Sequence, residues 1–301
     1  MRNQNTNLKN YFLSLKSKYS AKKSRAKFSK FSERARQYND NGKFQFARFC
    51  EFASFKHSGH TGDVIYSLPT MKALAAKTAL YLNAGAKSTM PPGFNHPYGD
   101  DQLPEKVIEM LRPLLLSQDY INKVEKFTHD KAVDFDLDIF RDTPQNLRAG
   151  SISQWYFPVF GISCDLSVPW ITLEKTRMAE EYIIISRSSR YNNESLDYSF
   201  LSRYPKLGFV GIESEYNQIK RSIAKIEYFR VENFLELALI INSSGLFIGN
   251  QSFPYSIAES MKVPRLLEQC LYAPNVIPMG GYSHPIVFQK QFEFVVNSFM
   301  N

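Results

Sequence analysis

The segment HSGHTGDVIYSLPTMKAL, residues 57–74, joins a run of small polar residues directly to an apolar run. Before it, FASFK (52–56) has the composition of a buried strand, and the residues from roughly 64 to 77 are predicted to form a helix. The glycines of the polar run permit a tight turn between the two elements. The segment therefore predicts a strand, a polar loop and a helix in succession.

The polar loop carries groups suited either to helix capping or to ligand binding. Gly59 and Gly62 allow close approach of the backbone to a ligand, and Asp63 falls at the start of the helix, where backbone N–H groups favour an anion. In the other interpretation, Asp63 or Thr61 is an N-cap and the glycines only form the turn. The loop alone leaves both open, and its Gly-x-x-Gly spacing is neither the dinucleotide fingerprint nor a P-loop.

Short apolar runs alternate with longer helical ones from Phe46 onward, which is typical of βαβ units and a mainly parallel sheet. Helices are predicted over 104–127, 145–161 and 231–245, the last with Asn233 as its N-cap. Further strands are predicted within 78–85, 132–140, 181–193, 206–216 and 246–270. The segment at 90–101 is rich in Pro, Gly and polar residues, and its length favours a substrate loop.

Four regions follow from this pattern. Residues 1–48 form a basic extension, helical or disordered, and 49–166 form a first Rossmann-like domain. A linker at 167–180 leads to a second Rossmann-like domain at 181–301. The last helix of this second domain could pack back on the first domain. The expected fold class is α/β, with two mainly parallel sheets facing a cleft. Ligands of such sheets bind at the carboxyl ends of the strands.

The positive charge of the protein is concentrated in the extension. Residues 1–48 contain thirteen Lys and Arg against Glu33 and Asp40, a net charge of +11. The whole chain of 301 residues carries +8, so residues 49–301 carry −3 (8 minus 11). Such a segment suits an anionic membrane surface or nucleic acid, or it is a solvated extension of the body. No specific nucleic-acid partner is expected, because the segment contains no known nucleic-acid motif.

The remaining composition indicates a cytoplasmic protein that is at most peripheral to the membrane. No run approaches the roughly 18 apolar residues of a membrane-spanning helix, and the N-terminus lacks the apolar stretch of a secretory signal. Cys50, Cys164 and Cys270 are odd in number and far apart, so neither a disulfide framework nor a thiol metal site is expected.

Two motifs together resemble those of glycosyltransferase family 9, the heptosyltransferase-like enzymes. GDVIYSLPTMKAL (62–74) is similar to the N-terminal motif of that family, and LFIGNQSFPYSIAESMKVPRLLE (246–268) to its donor-site motif. The resemblance covers about residues 50–301 and leaves the basic extension outside. It implies a GT-B enzyme that transfers a sugar from a nucleotide-sugar to a hydroxyl acceptor, in cell-surface polysaccharide biosynthesis. It also implies an inverting, metal-independent reaction that needs no cofactor, since the nucleotide-sugar is a co-substrate and the acceptor a glycan or lipid-linked saccharide.

The resemblance implies that Asp63 is the base that accepts the proton of the acceptor hydroxyl. The loop is one residue longer here than in the family, and it adds His57 and His60 as two other candidates for the base. The remaining residues predicted to contact the acceptor are Gly59, Thr61 and Gly62.

The second half supplies candidates for binding the nucleotide-sugar. Arg187 and Arg190 follow the strand YIIIS, where arginines can clamp a diphosphate. Polar groups at the head of a helix and a strand-end acid complete this set: Asn250, Gln251, Ser252 and Glu268. Glu213 and Glu215 are weaker candidates.

Two alternatives to this function remain. Asp134, Asp136 and Asp138 alternate in DFDLD, and three carboxylates on one strand face suit Mg²⁺ or Mn²⁺ in a metal-dependent transferase. The other alternative is a protein without catalytic activity that binds nucleotide-sugars or docks a partner.

Overall fold

The computed structural model describes residues 2–87, 99 and 101–300. The loop predicted at 90–101 to contact substrate lies outside these residues, apart from Gly99 and Asp101. The described chain forms two compact units.

The first unit is a long helix, α1 (Arg2–Asn41), together with residues Arg141–Gln145. Its sequence contains no Pro or Gly before Gly42, so no residue interrupts the helical hydrogen bonds. The basic extension, predicted to be helical or disordered, is therefore helical. None of the described helices is both long enough and apolar enough to cross a bilayer.

The second unit begins with a four-stranded sheet. Its strands and helices are β1 (Cys50–His57), α2 (Thr61–Leu74), β2 (Ala75–Leu82), α3 (Glu105–Leu116), β3 (Ile121–Lys126) and β4 (Phe135–Asp136). The strand order is β3-β2-β1-β4, and all pairs are parallel. The predicted strand, loop and helix at the start are confirmed.

Three of the predicted elements in this half have different bounds. The helix expected over 104–127 ends at Leu116, where Ser117 Oγ donates to Leu114 O at 2.8 Å, and β3 occupies the rest. The strand expected over 132–140 is only β4, because a 3₁₀ helix begins at Leu137. The helix expected over 145–161 is reduced to a 3₁₀ turn and α4 (Phe157–Phe160).

A six-stranded sheet follows in the same unit. Its elements are β5 (Ile183–Ser186), β6 (Leu207–Phe209), α5 (Glu213–Ser222), β7 (Glu227–Tyr228), α6 (Phe234–Ser243), β8 (Leu246–Asn250), α7 (Phe253–Met261), β9 (Arg265–Glu268), β10 (Ser283–Ile286) and α8 (Gln289–Met300). The order is β10-β9-β8-β5-β6-β7, again all parallel. Asn233 caps α6 as predicted, since its side chain accepts from Leu235 N and Glu236 N.

Helix α2 is buried on nearly every side, which explains its apolar sequence. It packs along α7, and one buried cluster includes residues of both helices. Trp170, in the connection between the sheets, links the two helices. Its Nε1 donates to Ile65 O of α2 at 3.1 Å, and its backbone N donates to Ser260 O of α7 at 3.0 Å. The start of α2 is thereby held beside the second sheet.

The last helix packs on the second sheet. Its buried residues Phe292, Val295 and Val296 belong to the cluster that also contains Ile183 and Ile185 of β5. The second sheet thus covers the apolar face of α8. These three residues therefore do not pack back on the first domain, as the sequence also allowed.

Candidate functional site

A cavity of about 410 Å³ lies at the carboxyl ends of β5, β6 and β7. Ser188 and Arg190 after β5, Tyr228 and Arg230 around β7, and Phe253 at the start of α7 are among the residues that line it. The first half contributes Thr61 and Met110, so both halves of the second unit form the walls. This is the position that a parallel α/β sheet offers to a ligand.

Four helices begin at this cavity, and their N-termini make it attractive to anions. The lining residues include Thr61 of α2, Glu213 of α5, Phe234 of α6 and Ser252 before α7. Among the described residues, no side chain caps α2 or α7, whereas α6 is capped by Asn233. Backbone N–H groups and the positive ends of the helix dipoles therefore point towards the cavity.

Two arginines and two glutamates bring charge to the cavity wall. Arg230 Nη2 lies 3.1 Å from Glu213 Oε1, and both side chains are exposed. Glu215 is buried, which raises the pKa of its carboxyl group, although the Ser189 backbone N–H, the Arg190 charge and the Ser188 hydroxyl favour its charged form. Within the described part of the chain, no carboxylate lies within salt-bridge distance of Arg190. Arg190 is therefore available to an anionic ligand.

The loop after β1 reaches this region through Asp63, in the first turn of α2. Asp63 is partly buried, and its carbonyl oxygen accepts a hydrogen bond of 3.2 Å from Tyr156 Oη. Burial raises the pKa of the Tyr191 phenol, and the nearby Asp63 carboxylate raises it too. A Cβ atom on Gly62 would lie 4.0 Å from Ser256 Oγ of α7. The loops predicted to contact acceptor and donor are thus close together.

His57 is fully buried at the end of β1. Its Nδ1 accepts from Gly59 N at 2.9 Å, so the neutral ring carries its proton on Nε2 and donates to Tyr156 Oη at 3.0 Å. The distance of 3.9 Å from Nδ1 to Asp138 Oδ1 is too long for a hydrogen bond. This geometry argues against His57 as the base, because no acceptor hydroxyl can reach its ring.

His60 and Thr61 lie at the N-terminus of α2. His60 occupies the N-cap position, and its carbonyl oxygen accepts from Val64 N at 3.1 Å. Thr61 is the first helical residue and lines the cavity. The interpretation of Thr61 or Asp63 as the N-cap is wrong, because the helix begins at Thr61 and no described side chain caps it.

Arg187 and Glu268 bind each other and are withdrawn from the cavity. Arg187 donates from Nε to Glu268 Oε2 at 2.8 Å and from Nη2 to Oε1 at 3.0 Å. Glu268 is 1% exposed and also accepts from Tyr198 Oη at 2.8 Å and from the Asn193 backbone. The structure therefore argues against both as donor-binding residues, because the ion pair uses Nε and Nη2 of Arg187 and both carboxylate oxygens of Glu268, and neither residue lines the cavity.

Asn250 and Gln251 also serve the fold. The buried Asn250 side chain accepts from Ser188 N at 3.0 Å and donates to Ser188 O at 2.5 Å, which ties the ends of β8 and β5 together. Gln251 Nε2 donates to Ala273 O at 2.6 Å and to Asn275 Oδ1 at 2.7 Å. The expected contact of Asn250 and Gln251 with the donor is not supported, and Ser252 is the member of this triplet that lines the cavity.

The three aspartates lie in and around β4, where they contact alternate residues of β1 and the residue after it; we call them the aspartate ladder. Asp134 accepts from Ser54 Oγ at 2.6 Å and Asp138 from Ser58 Oγ at 2.7 Å. Between these pairs, Lys56 Nζ lies 3.0 Å from Asp136 Oδ2. The described residues contain no group of three or more His, Cys, Asp or Glu placed to hold a metal ion. This geometry does not favour the metal alternative, because Ser54, Lys56 and Ser58 already contact the three carboxylates.

Several lining residues were not singled out from the sequence. Arg230, Phe234 and Phe253 line the cavity, and the two phenylalanine rings lie 4.5 Å apart between centroids. A local signal exists for two of them: Asn233 marks the start of α6, and Pro254 occupies the first turn of α7. The start of a helix that follows a strand is therefore the sequence feature that marks the lining of this cavity.

Comparison with solved structures identifies the fold. A structure of glycosyltransferase family 9 from Veillonella parvula is 12% identical over 84% of this chain and 90% of its own, with a TM-score of 0.50. The E. coli heptosyltransferase WaaC with ADP is 10% identical over 82% of this chain and 99% of its own, with a TM-score of 0.55. This chain shares their fold. The prediction of a GT-B arrangement of two Rossmann-like halves is confirmed. In sequence, the chain matches no protein-family model and no curated protein.

Proposed function

We propose that this protein is a glycosyltransferase that moves a sugar from a nucleotide-sugar to a hydroxyl acceptor. The observation that carries the proposal is the cavity at the carboxyl ends of the second sheet, with Arg190 on its wall and Asp63 nearby. The GT-B fold supports it, as does the structure of E. coli WaaC with ADP, a nucleoside diphosphate. The acceptor is a glycan or a lipid-linked saccharide.

The donor diphosphate binds at the start of α7. Ser252 and the uncapped backbone N–H groups there favour negative charge, and the Arg190 guanidinium adds a cation that can donate two hydrogen bonds. Phe234 and Phe253 give the same cavity an apolar wall for the flat base. Charge that develops on the leaving diphosphate is stabilised by these groups.

Asp63 is the base of an inverting, metal-independent reaction. The acceptor oxygen forms a bond to the anomeric carbon, the bond to the diphosphate oxygen breaks, and the hydroxyl proton moves to the Asp63 carboxylate. Tyr156 positions this residue, because its hydroxyl donates to Asp63 O and accepts from His57 Nε2. His57 is then a positioning residue, whereas Asp63 and the half-buried His60 both remain able to meet an acceptor, and we assign the proton transfer to Asp63.

The test begins with the donor, which is identified by the thermal shift that each nucleoside diphosphate produces. With the matching nucleotide-sugar, we expect Asp63→Asn to lower turnover by about 10²–10⁴-fold with little change in nucleotide affinity. Asp134→Asn is the matched control and retains turnover, because its carboxylate only accepts from Ser54. Unchanged turnover of Asp63→Asn excludes it as the base.

Two measurements separate the alternatives. Transfer that persists in excess EDTA contradicts a metal-dependent reaction at the Asp134 ladder. Tight nucleotide binding without turnover of any sugar contradicts the enzyme and favours a binding protein.

We also propose that the basic extension attaches the protein to the anionic inner face of a membrane. Its net charge of +11 over residues 1–48 supports this. Deletion of residues 1–45 is expected to abolish salt-sensitive binding to anionic vesicles.

A further inference from the structure

A second, smaller cavity lies between helix α5 and the loop that follows β5. Its volume is about 210 Å³, and Glu215 lines both this cavity and the larger one. We call the smaller one the α5 cavity. Drug-sized ligands generally occupy about 300–1,000 Å³, so the α5 cavity fits a smaller molecule. No step of the proposed sugar transfer uses it.

One face of α5 forms a wall of the α5 cavity. The residues that it contributes are Glu215, Gln218, Ile219 and Ser222. Their spacing of three and four positions places them on the same side of a helix. Gln218 and Ser222 are exposed, so a ligand can reach their amide and hydroxyl groups from solvent.

The loop after β5 forms the opposite wall, which includes Arg187, Asn192 and Tyr198. The Arg187 guanidinium lies 4.6 Å from the centroid of the Tyr198 ring. Arg187 donates from Nε and Nη2, and no described residue accepts a hydrogen bond from its Nη1. Asn192 Oδ1 accepts from Asn250 Nδ2 at 3.2 Å, which leaves the Asn192 Nδ2 group as a donor. This wall therefore still has donors to offer to a ligand.

The charges around the α5 cavity are largely compensated. Arg187 forms an ion pair with Glu268. Asp197, which also lines the cavity, accepts from Ser199 N at 2.9 Å and from Ser199 Oγ at 2.5 Å. Burial raises the pKa of the Glu215 carboxyl group, so a negative charge is disfavoured there. Such a cavity does not favour a strongly charged ligand, and its mostly polar lining does not favour an apolar one.

We propose that the α5 cavity binds a neutral polyhydroxylated molecule of monosaccharide size. A hydroxyl group both donates and accepts hydrogen bonds, so a sugar matches walls that mix amide, hydroxyl, guanidinium and carboxyl groups. A phosphate would meet the Asp197 carboxylate, and an ammonium group would meet the Arg187 guanidinium. The site does not depend on the proposed sugar transfer, so the two proposals fail separately.

The test measures saturation-transfer NMR signals of D-glucose, D-galactose, D-mannose and N-acetyl-D-glucosamine with the full chain. The double variant Gln218→Leu, Ser222→Leu replaces the exposed polar groups of the α5 wall by apolar side chains. The matched control, Asn217→Leu with Arg221→Leu, changes two exposed residues of the same helix that do not line the cavity. We expect one of the sugars to bind, about tenfold more weakly to the double variant because hydrogen bonds are lost. The control should bind it as the unmodified protein does.

Urea unfolding of each variant checks that the fold is intact. If the double variant is unstable, Gln218→Ala takes its place, because it removes the amide group without adding volume. We expect Gln218→Ala to weaken binding of the same sugar by about 3–10-fold.

Three outcomes overturn the proposal. Absence of saturation transfer to all four sugars shows that the α5 cavity is not a sugar site. Equal affinity of the double variant and the control shows that the sugar binds elsewhere. A loss of sugar binding in Arg190→Met, with the double variant unaffected, places the sugar in the larger cavity.

Discussion

The loops after β1 and β5 follow corresponding strands of the two sheets and place their polar residues alike. In each, the residue at the strand end is bound within the protein: His57, the last residue of β1, to Tyr156, and Arg187, directly after β5, to Glu268. In each, a charged residue further along lies at or near the cavity: Arg190 lines it, and Asp63, in the first turn of α2, is close enough to Tyr191 to raise the pKa of its phenol. The difference is chemical, because one loop presents a carboxylate and the other a guanidinium. Distance from the strand end, more than residue type, separates the fold's residues from the candidate site's residues.

The largest effect is expected at the ion pair between the half-buried Arg187 and the buried Glu268. Glu268→Gln removes the charge that compensates Arg187 and should lower the free energy of unfolding by about 3–5 kcal/mol. Urea denaturation measures this change. Glu213→Gln is the matched control, since its partner Arg230 is exposed, and it should cost no more than about 0.5 kcal/mol. Equal costs for the two variants would mean that Glu268 is not the buried structural acid described here.

The second effect concerns the arginine that stays at the cavity. Arg190→Met should weaken binding of the matching nucleoside diphosphate by about 10–100-fold, because a charge-assisted hydrogen bond to phosphate is lost. Calorimetric titration measures it, and the unfolding free energy should hardly change. If Arg187→Met weakens nucleotide binding more than Arg190→Met does at an equal folded fraction, Arg187 and not Arg190 is the arginine that binds the ligand.

A third, smaller effect is expected in the first loop. Tyr156→Phe leaves His57 Nε2 and Asp63 O without the tyrosine hydroxyl and should cost about 1–2 kcal/mol of unfolding free energy. A decrease in kcat beyond that of the exposed control Tyr282→Phe would show that this hydroxyl also positions Asp63. Identical stability of both variants would contradict the hydrogen-bonded chain.

The smallest effect is the pH dependence of the aspartate ladder. Hydrogen bonds from the Ser54 side chain and backbone hold the pKa of Asp134 below its usual value. A lowered folded-state pKa adds stability above the unfolded-state pKa of about 3.9, and that stability is lost as the pH falls through the folded-state value. Ser54→Ala should therefore cost more at pH near 7 than at pH near 2, by less than about 1 kcal/mol because Asp134 is exposed, while the hydrogen bond from Asp134 N to Ser54 Oγ is lost at both pH values. Unfolding curves at both pH values check the sign.

Much of the architecture could be predicted from local patterns. The polar loop before α2, the cap at Asn233 and the alternation of short strands with helices each depend on neighbouring residues. Local patterns do not predict a strand as polar as β3. Its sequence, INKVEK, is mostly polar because only Ile121 and Val124 are buried. The aspartates of DFDLD could not be assigned locally either, since their hydrogen-bonding partners lie on β1, 80 residues earlier in the chain.

The sequence by itself determined the order of the elements, the concentration of positive charge in residues 1–48 and the presence of a polar loop before α2 and before α7. Only the tertiary structure decided which polar side chains remain available. Arg187 and Arg190 differ by three positions in the chain, yet one meets a buried carboxylate of β9 and the other a cavity. The reason is physical: a buried charge requires a partner, and the partner comes from a strand that is distant in sequence.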